Sequence, residues 1–371
     1  MRKTKGSSFD LPITTIVGSS LRNIRAQKKD YRIGKRFLLK YNLSSIVAGI
    51  LEIFAFYEHL RWRGRIRKFR LEEPPVFIIG FWRSGTTLLH ALMCQDTNFA
   101  YTTTFQTVFP NHVLTHGWWL KKLIKGLVPK TRPYDNVLLD LESPQEEEFA
   151  MLNSQPFSIY KFFIYPNEFD EIIDNELFTG SLDNKSLEIW KSKYRELIAK
   201  SVIHSGGQRY LGKNPCHLTR IRLILEQFPD AKFIFIHRNP NNIVESMYRF
   251  FIEIFKGIQL QEVPEGFSRE KLASLYTRIM DTYLIDRQQI PAGNLFEVKL
   301  DDFLQDKLGY IEAIYRQFGI PGFSQARPAF EKYIQENVSP PHIPDPPEPE
   351  TIRAVDEQAG HLQKAFGYKE Y

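Results

Sequence analysis

Apolar positions recur along this chain with two different periods. "PPVFIIG", residues 74–80, is an unbroken apolar run bounded by Pro75 and Gly80, which predicts a short strand buried on both faces. "AKFIFIHRNP", 231–240, predicts a second buried strand ending in a turn, and "NLFEVKLDDFL", 294–304, a third. Between and after them the period changes to that of a helix: "TTLLHALMCQD" (86–96), residues 186–204, "NNIVESMYRFFIEIF" (241–255), 306–318 and about 350–366. "SPQEEEFAML", 143–152, carries a helix-start signal, with Ser143 as N-cap, Pro144 at the first position and Glu146 completing a capping box. In residues 43–60, Leu43, Ile46, Val47, Ile50, Phe54 and Tyr57 lie at helical spacing. Ser44, Ser45, Gly49, Glu52, Glu58 and His59 fall on the other side, which predicts an amphipathic helix. Residues 1–20 read as disordered or loosely attached, and the proline-rich "SPPHIPDPPEPE", 339–350, excludes regular structure. Strands alternating with helices predict an α/β fold: three layers, with a central, mainly parallel sheet flanked by helices.

Composition adds a partner class. The 371 residues are 43% hydrophobic, enough for a large core. The net charge of +6 is unevenly spread: 17 Lys/Arg against 4 Asp/Glu over residues 1–70, and 32 against 39 over the rest. That divides the chain into a basic N-terminal arm, 1–73, and a mildly acidic body, 74–371. The arm ends in the basic "RWRGRIRKFR", 61–70, and predicts a polyanionic partner. Joined to the amphipathic helix, it predicts peripheral contact with an anionic membrane surface on the cytoplasmic side. The apolar stretch within 43–60 is too short to span a bilayer and Glu52 interrupts it. "WWLKKLIKGLVPK", 118–130, repeats the apolar-plus-basic character and sits where an acceptor-binding lid would lie. Cys94 and Cys216 are far apart and outside metal spacing, so neither a disulfide framework nor a metal site is expected, and the usage suits a reducing cytoplasm.

The chemistry centres on "GFWRSGTTLLH", residues 80–90. A strand turning into a helix through Gly and Thr points successive N–H groups inward, and the helix N-terminus adds partial positive charge. Together these make an anion site. Gly85 admits a close backbone approach, Thr86 and Thr87 can add hydroxyls, and Arg83 offers charge-assisted bonds to oxyanions. The lysine of a phosphotransferase loop is absent. A second block, "HRNPNNIVESMYRF", places Arg238 just past a strand and Ser246 in the following helix. Open α/β sheets bind ligands at such strand ends.

These two blocks together resemble the sulfonucleotide-binding blocks of the sulfotransferases that use 3′-phosphoadenosine 5′-phosphosulfate (PAPS), whose fold is P-loop-like. The resemblance covers roughly residues 74–320 and looks closest to the bacterial and protein-tyrosine branches, which carry Arg in the first block. It implies that Arg83, Ser84, Gly85, Thr86, Thr87 and Leu88 hold the 5′-phosphosulfate, that Arg238 and Ser246 hold the 3′-phosphate, and that adenosine 3′,5′-bisphosphate is the product. "YLGKNPCHL", 210–218, resembles the family's Asn-Lys-Asp-Pro stretch and implies that Lys213 contacts the transferring sulfate. The chain departs from the family in three places. Pro215 stands where the phenol type has a catalytic His, Thr104 stands near where the protein-tyrosine type has a Glu, and Leu300 replaces a tyrosine.

The general base is therefore sought elsewhere. "SPQEEEF" clusters three carboxylates at a helix start. With Glu146 assigned to the cap, Glu147 and Glu148 are the candidates, ahead of His112, His116 and His217. The predicted acceptor is a hydrophobic hydroxylated molecule, a lipid alcohol or sterol, with a glycan, phenol or protein tyrosine as alternatives. A P-loop kinase would need the missing loop lysine. A non-catalytic membrane-associated or nucleic-acid-binding protein would explain the arm but not the Arg83 and Arg238 blocks, so no nucleic-acid partner is expected.

Overall fold

The apolar run after Pro75 forms the central strand of a five-stranded sheet in the computed structural model, which describes residues 13–126, 140–178, 182–337 and 346–368. The strands are β1 (Val76–Ile79), β2 (Phe99–Ala100), β3 (Arg209–Lys213), β4 (Lys232–His237) and β5 (Leu295–Lys299). Their order is β2-β3-β1-β4-β5 and every pairing is parallel. The three predicted strands are present. The two-residue β2 has too few residues to show a period, so no pattern announced it.

The described residues fall into two units. One lies within 70–101, 205–248 and 267–368 and holds the whole sheet; the other lies within 13–69, 102–204 and 249–266. In the sheet unit, side chains alternate between two layers as the pleat requires. Val76 and Ile78 join Leu89, Leu92 and Met93 of the Thr86–Met93 helix, and Ile311, Ile314 and Phe330 of the helices Lys307–Phe318 and Phe323–Glu336, in one buried cluster. Phe77 faces the other way, against Tyr210, His217, Phe228 and Phe233. On that side Phe235 stacks on Tyr283 of the helix Arg269–Asp286, with ring centroids 4.1 Å apart, and meets Phe366 at 5.7 Å. The result is the expected three-layer α/β arrangement. The last helix is Pro349–Ala365, with proline at the first turn, where its missing N–H costs nothing. Residues 338–345 of the proline-rich stretch lie outside the described residues.

The second unit contains no strand among its described residues. Three expectations change there. Residues 13–20 are not loose: Ile16 and Val17 are buried, and Thr14 N donates to Ser44 Oγ at 2.9 Å. The helix expected over 43–60 runs from Leu38 to Lys68, 31 residues, and absorbs most of the basic stretch. By length and composition it is long enough to cross a membrane. Its packed face matches the apolar one read from the sequence only in part: Val47 and Phe54 pack against a buried cluster that includes Leu51, Phe105 and Phe109. Lys40, Ser44, Ala48, Leu51 and Glu58 are buried, whereas Ile46, Ile50 and Tyr57 are exposed.

The reason lies in long-range polar bonds. Glu58 Oε2 accepts from Leu114 N at 3.1 Å and Thr115 N at 2.8 Å, and Lys40 Nζ donates to Gly257 O at 2.7 Å. Buried charges need partners of this kind, and the partners decide which face turns inward. The third change concerns residues 143–146. They do not begin a helix, because they pair with another segment: Thr104 N donates to Ser143 O and Gln145 N to Thr102 O, both at 2.9 Å. The helix starts at Glu147, with Glu146 as an N-cap that makes no side-chain cap bond. Ser143 Oγ instead accepts from Asp140 N.

Candidate active site

β1 ends at Ile79, and the next six residues turn the chain into the Thr86–Met93 helix. Two glycines make the turn possible. A Cβ on Gly80 would lie 2.4 Å from Ile236 O, and Gly85 has φ 97°, with a Cβ meeting Leu300 Cδ1 at 2.5 Å. Arg83 also lies in the left-handed region, at φ 68°, the one residue besides glycine to do so among those described. For a side-chain-bearing residue this costs about 1–2 kcal/mol. Strain of that size persists where surrounding structure holds it, and it concentrates at binding sites.

Its consequence is visible in the side chain. Arg83 Nε donates to Ser246 Oγ at 3.1 Å, across 163 residues of chain. This bond ties the first block to the second. Ser84 Oγ is buried and has no hydrogen-bond partner among the described residues. A buried hydroxyl is normally satisfied, so such an atom marks a place where an acceptor belongs. The first N–H groups of the Thr86–Met93 helix have no intrahelical acceptor and carry the positive end of its dipole.

Lys213 is the last residue of β3, paired in register with Ile78 of β1. Its side chain is 1% exposed, and Nζ donates to Thr87 Oγ1 at 3.4 Å. The turn after it is shaped by Asn214, whose side chain accepts from Cys216 N at 3.0 Å. Asn214 was not singled out from the sequence, although the Asn-Pro pair is itself a turn signal. Arg238 follows His237, the end of β4, and is half-buried. Next to it, burial and the neighbouring Lys299 charge push the His237 imidazole down to about 4. It is therefore neutral at pH 7, and its Nδ1 pairs with the Tyr368 hydroxyl at 2.9 Å. Thus β3, β1 and β4 deliver Lys213, the loop and Arg238 to one carboxyl edge of the sheet. The chain leaves β1 toward β2 on one side and leaves the neighbouring β4 toward β5 on the other, which makes this edge the switch point at which open α/β sheets bind ligands.

With that geometry established, comparison with known proteins is informative. A model of the sulfotransferase family matches residues 74–325, most of the chain. This chain belongs to the sulfotransferase family. Sulfotransferases from Mycobacterium bovis and Mycobacterium tuberculosis, both named omega-hydroxy-beta-dihydromenaquinone-9 sulfotransferase Stf3, are 28% identical to it over 335 residues. The match covers 90% of this chain and 84% of each relative. Two solved mycobacterial structures share the fold at 15% identity. Sulfotransferase STF9 from Mycobacterium avium has a TM-score of 0.71, covering 93% of this chain and 90% of its own. Sulfotransferase STF1 from Mycobacterium tuberculosis has a TM-score of 0.67, covering 93% and 94%.

For this sulfotransferase, the carboxylate candidates for the base belong to the helical unit. Glu147 and Glu148 are both fully buried. Glu147 Oε1 accepts from the Tyr194 hydroxyl and Glu148 Oε1 from Ser158 Oγ, each at 2.9 Å. Glu146, whose side chain makes no capping bond, is half-buried and accepts from the Tyr160 hydroxyl. The ground for setting Glu146 aside therefore disappears. The histidine alternatives have other partners: His112 Nε2 pairs with Leu51 O at 3.0 Å, the His217 ring packs edge-on against Phe77, and His116 Nδ1 accepts from Trp119 Nε1.

Proposed function

We propose that the chain transfers a sulfuryl group from PAPS to the hydroxyl of a lipid-like acceptor at the cytoplasmic face of an anionic membrane. In this reading residues 74–371 form the transferase domain and 1–73 the arm that meets the membrane. The Arg83–Ser246 bond carries the reading, because it joins a loop suited to one anionic group with a helix suited to a second. A sulfonucleotide with phosphates at both its 5′ and 3′ positions calls for two such sites. The cradle suits it: Ser84 Oγ has no hydrogen-bond partner among the described residues, and neither Gly80 nor Gly85 leaves room for a Cβ.

PAPS supplies an activated S–O bond with adenosine 3′,5′-bisphosphate as the leaving group. Arg83, Ser84, Gly85, Thr86, Thr87 and Leu88 hold the phosphosulfate and offset charge developing on the leaving phosphate oxygen. Arg238 and Ser246 bind the 3′-phosphate. Lys213, dry and held toward Thr87, donates to the oxygen that breaks from sulfur. One carboxylate among Glu146, Glu147 and Glu148 takes the acceptor proton as the acceptor oxygen attacks sulfur in line. The acceptor class is supported by the mycobacterial relatives, whose name gives a hydroxylated menaquinone as substrate.

The test is transfer of labelled sulfate from PAPS to pooled lipid alcohols, quinols, sterols, phenols and glycans, together with calorimetric titration of adenosine 3′,5′-bisphosphate. Label in the lipid fraction and loss of bisphosphate binding in Arg238→Ala are expected. No bisphosphate affinity in the parent protein, or label only in glycans, overturns the reading.

A further inference from the structure

The exposed apolar surface is concentrated in one place. Of the twelve large apolar side chains that stand exposed among the described residues, eight lie on the Leu38–Lys68 helix. Leu39, Ile46, Ile50, Ile53, Tyr57 and Leu60 follow one another at steps of seven, four, three, four and three, a single stripe along the helix. Ile53 at 72% and Leu39 at 69% are the most open of them. A surface like this marks an interaction site. At its carboxyl end Arg61, Arg63, Arg65 and Lys68 are exposed.

The opposite face is fastened to its own unit along most of its length. Besides the bonds of Lys40, Ser44 and Glu58, Leu51 O pairs with His112 Nε2, and Trp62 Nε1 donates to Thr115 Oγ1 at 2.9 Å. From Lys40 to Trp62 is about 33 Å of helix at 1.5 Å per residue, as long as a bilayer core is thick. A helix so attached cannot cross the membrane without drawing its polar partners into hydrocarbon.

We infer that this helix seats the protein in the plane of an anionic bilayer, Leu39 to Leu60 among the acyl-chain ends and the Arg61–Lys68 turn among anionic headgroups, without spanning. The inference rests on the reading that the acceptor is met at a membrane, and it names the surface and its orientation. Positive charge beside the apolar stripe selects anionic lipid. The same charge opposes parallel pairing with a second copy, which would place like charges side by side.

The full chain is floated with vesicles of phosphatidylcholine plus phosphatidylglycerol, and with phosphatidylcholine alone. The comparison variant is Ile46→Glu/Ile53→Glu, both positions being exposed and outside the binding loops. The parent is expected to float with the anionic vesicles, to be released by alkaline carbonate and to bind less as salt rises. The variant should lose about a hundredfold or more in partition. Its affinity for adenosine 3′,5′-bisphosphate in solution should be unchanged, which separates this inference from the catalytic reading. Equal flotation of parent and variant overturns it. So does a parent that resists carbonate, which would mean a spanning helix, or one that ignores vesicles but sediments as a dimer that the variant splits.

Discussion

Replacing Gly85 by alanine tests whether the loop geometry is required as built. Two costs follow from the structure. At φ 97° an L-residue loses about 1–2 kcal/mol to its own backbone. The new methyl would also stand 2.5 Å from Leu300 Cδ1, a contact that must open by more than about 1 Å, and such overpacking costs about 1–3 kcal/mol. The sum is about 2–5 kcal/mol of stability. The two parts separate in a cycle with Leu300→Val, which removes the colliding atom at a cost of about 1 kcal/mol. In that background Gly85→Ala should retain only the backbone cost. Urea unfolding reads the stability, and initial rates of sulfate transfer read the function. A loop displaced by about 1 Å should lose about a hundredfold in rate. If Gly85→Ala unfolds within about 0.5 kcal/mol of the parent, the left-handed turn is not needed and the cradle argument fails.

Arg83→Ala and Lys213→Ala should each lower transfer by about 10²–10³-fold while the protein stays folded, as steady-state rates with circular dichroism would show; full activity in either removes that residue from the mechanism. Glu58→Ala leaves the amides of Leu114 and Thr115 unpaired and should cost about 2–5 kcal/mol in urea unfolding, whereas Glu58→Gln, which keeps an acceptor, should cost clearly less. His112 is held down to about 4, chiefly by burial and further by the Lys200 charge. The unfolded chain binds its proton first, near 6.5. The contribution of His112 is therefore complete above about pH 6.5 and lost as pH falls toward 4, by up to about 3 kcal/mol. His112→Gln, which keeps a donor for Leu51 O, should flatten that part of the pH–stability curve; an unchanged slope refutes the assignment.

The strand–loop–helix at 76–93 was legible because everything that defines it is local: an apolar run, the glycines and the change of period. β4, its following helix and the helices at 307–318 and 349–365 were legible for the same reason. Glu146 was misread for the complementary reason. Its capping signal is real as a local pattern, but backbone pairing of 143–145 with 102–104 satisfies those groups in another way, and the helix begins later. Local preferences of about 1 kcal/mol yield to several tertiary hydrogen bonds.

What the sequence determined by itself is the strand, loop and helix that carry most of the proposed anion-binding groups, since these depend on neighbours a few residues apart. The tertiary structure decided two things. It set Arg83 against Ser246 and Lys213 against Thr87, because parallel strands distant in the chain end side by side at one edge of the sheet. It also decided which face of the Leu38–Lys68 helix turns inward. That helix carries apolar residues around much of its circumference, so hydrophobicity alone leaves its rotation open. The buried charges of Lys40 and Glu58 resolve it, because each must reach its hydrogen-bond partners, and Ile46, Ile50 and Ile53 are left facing out.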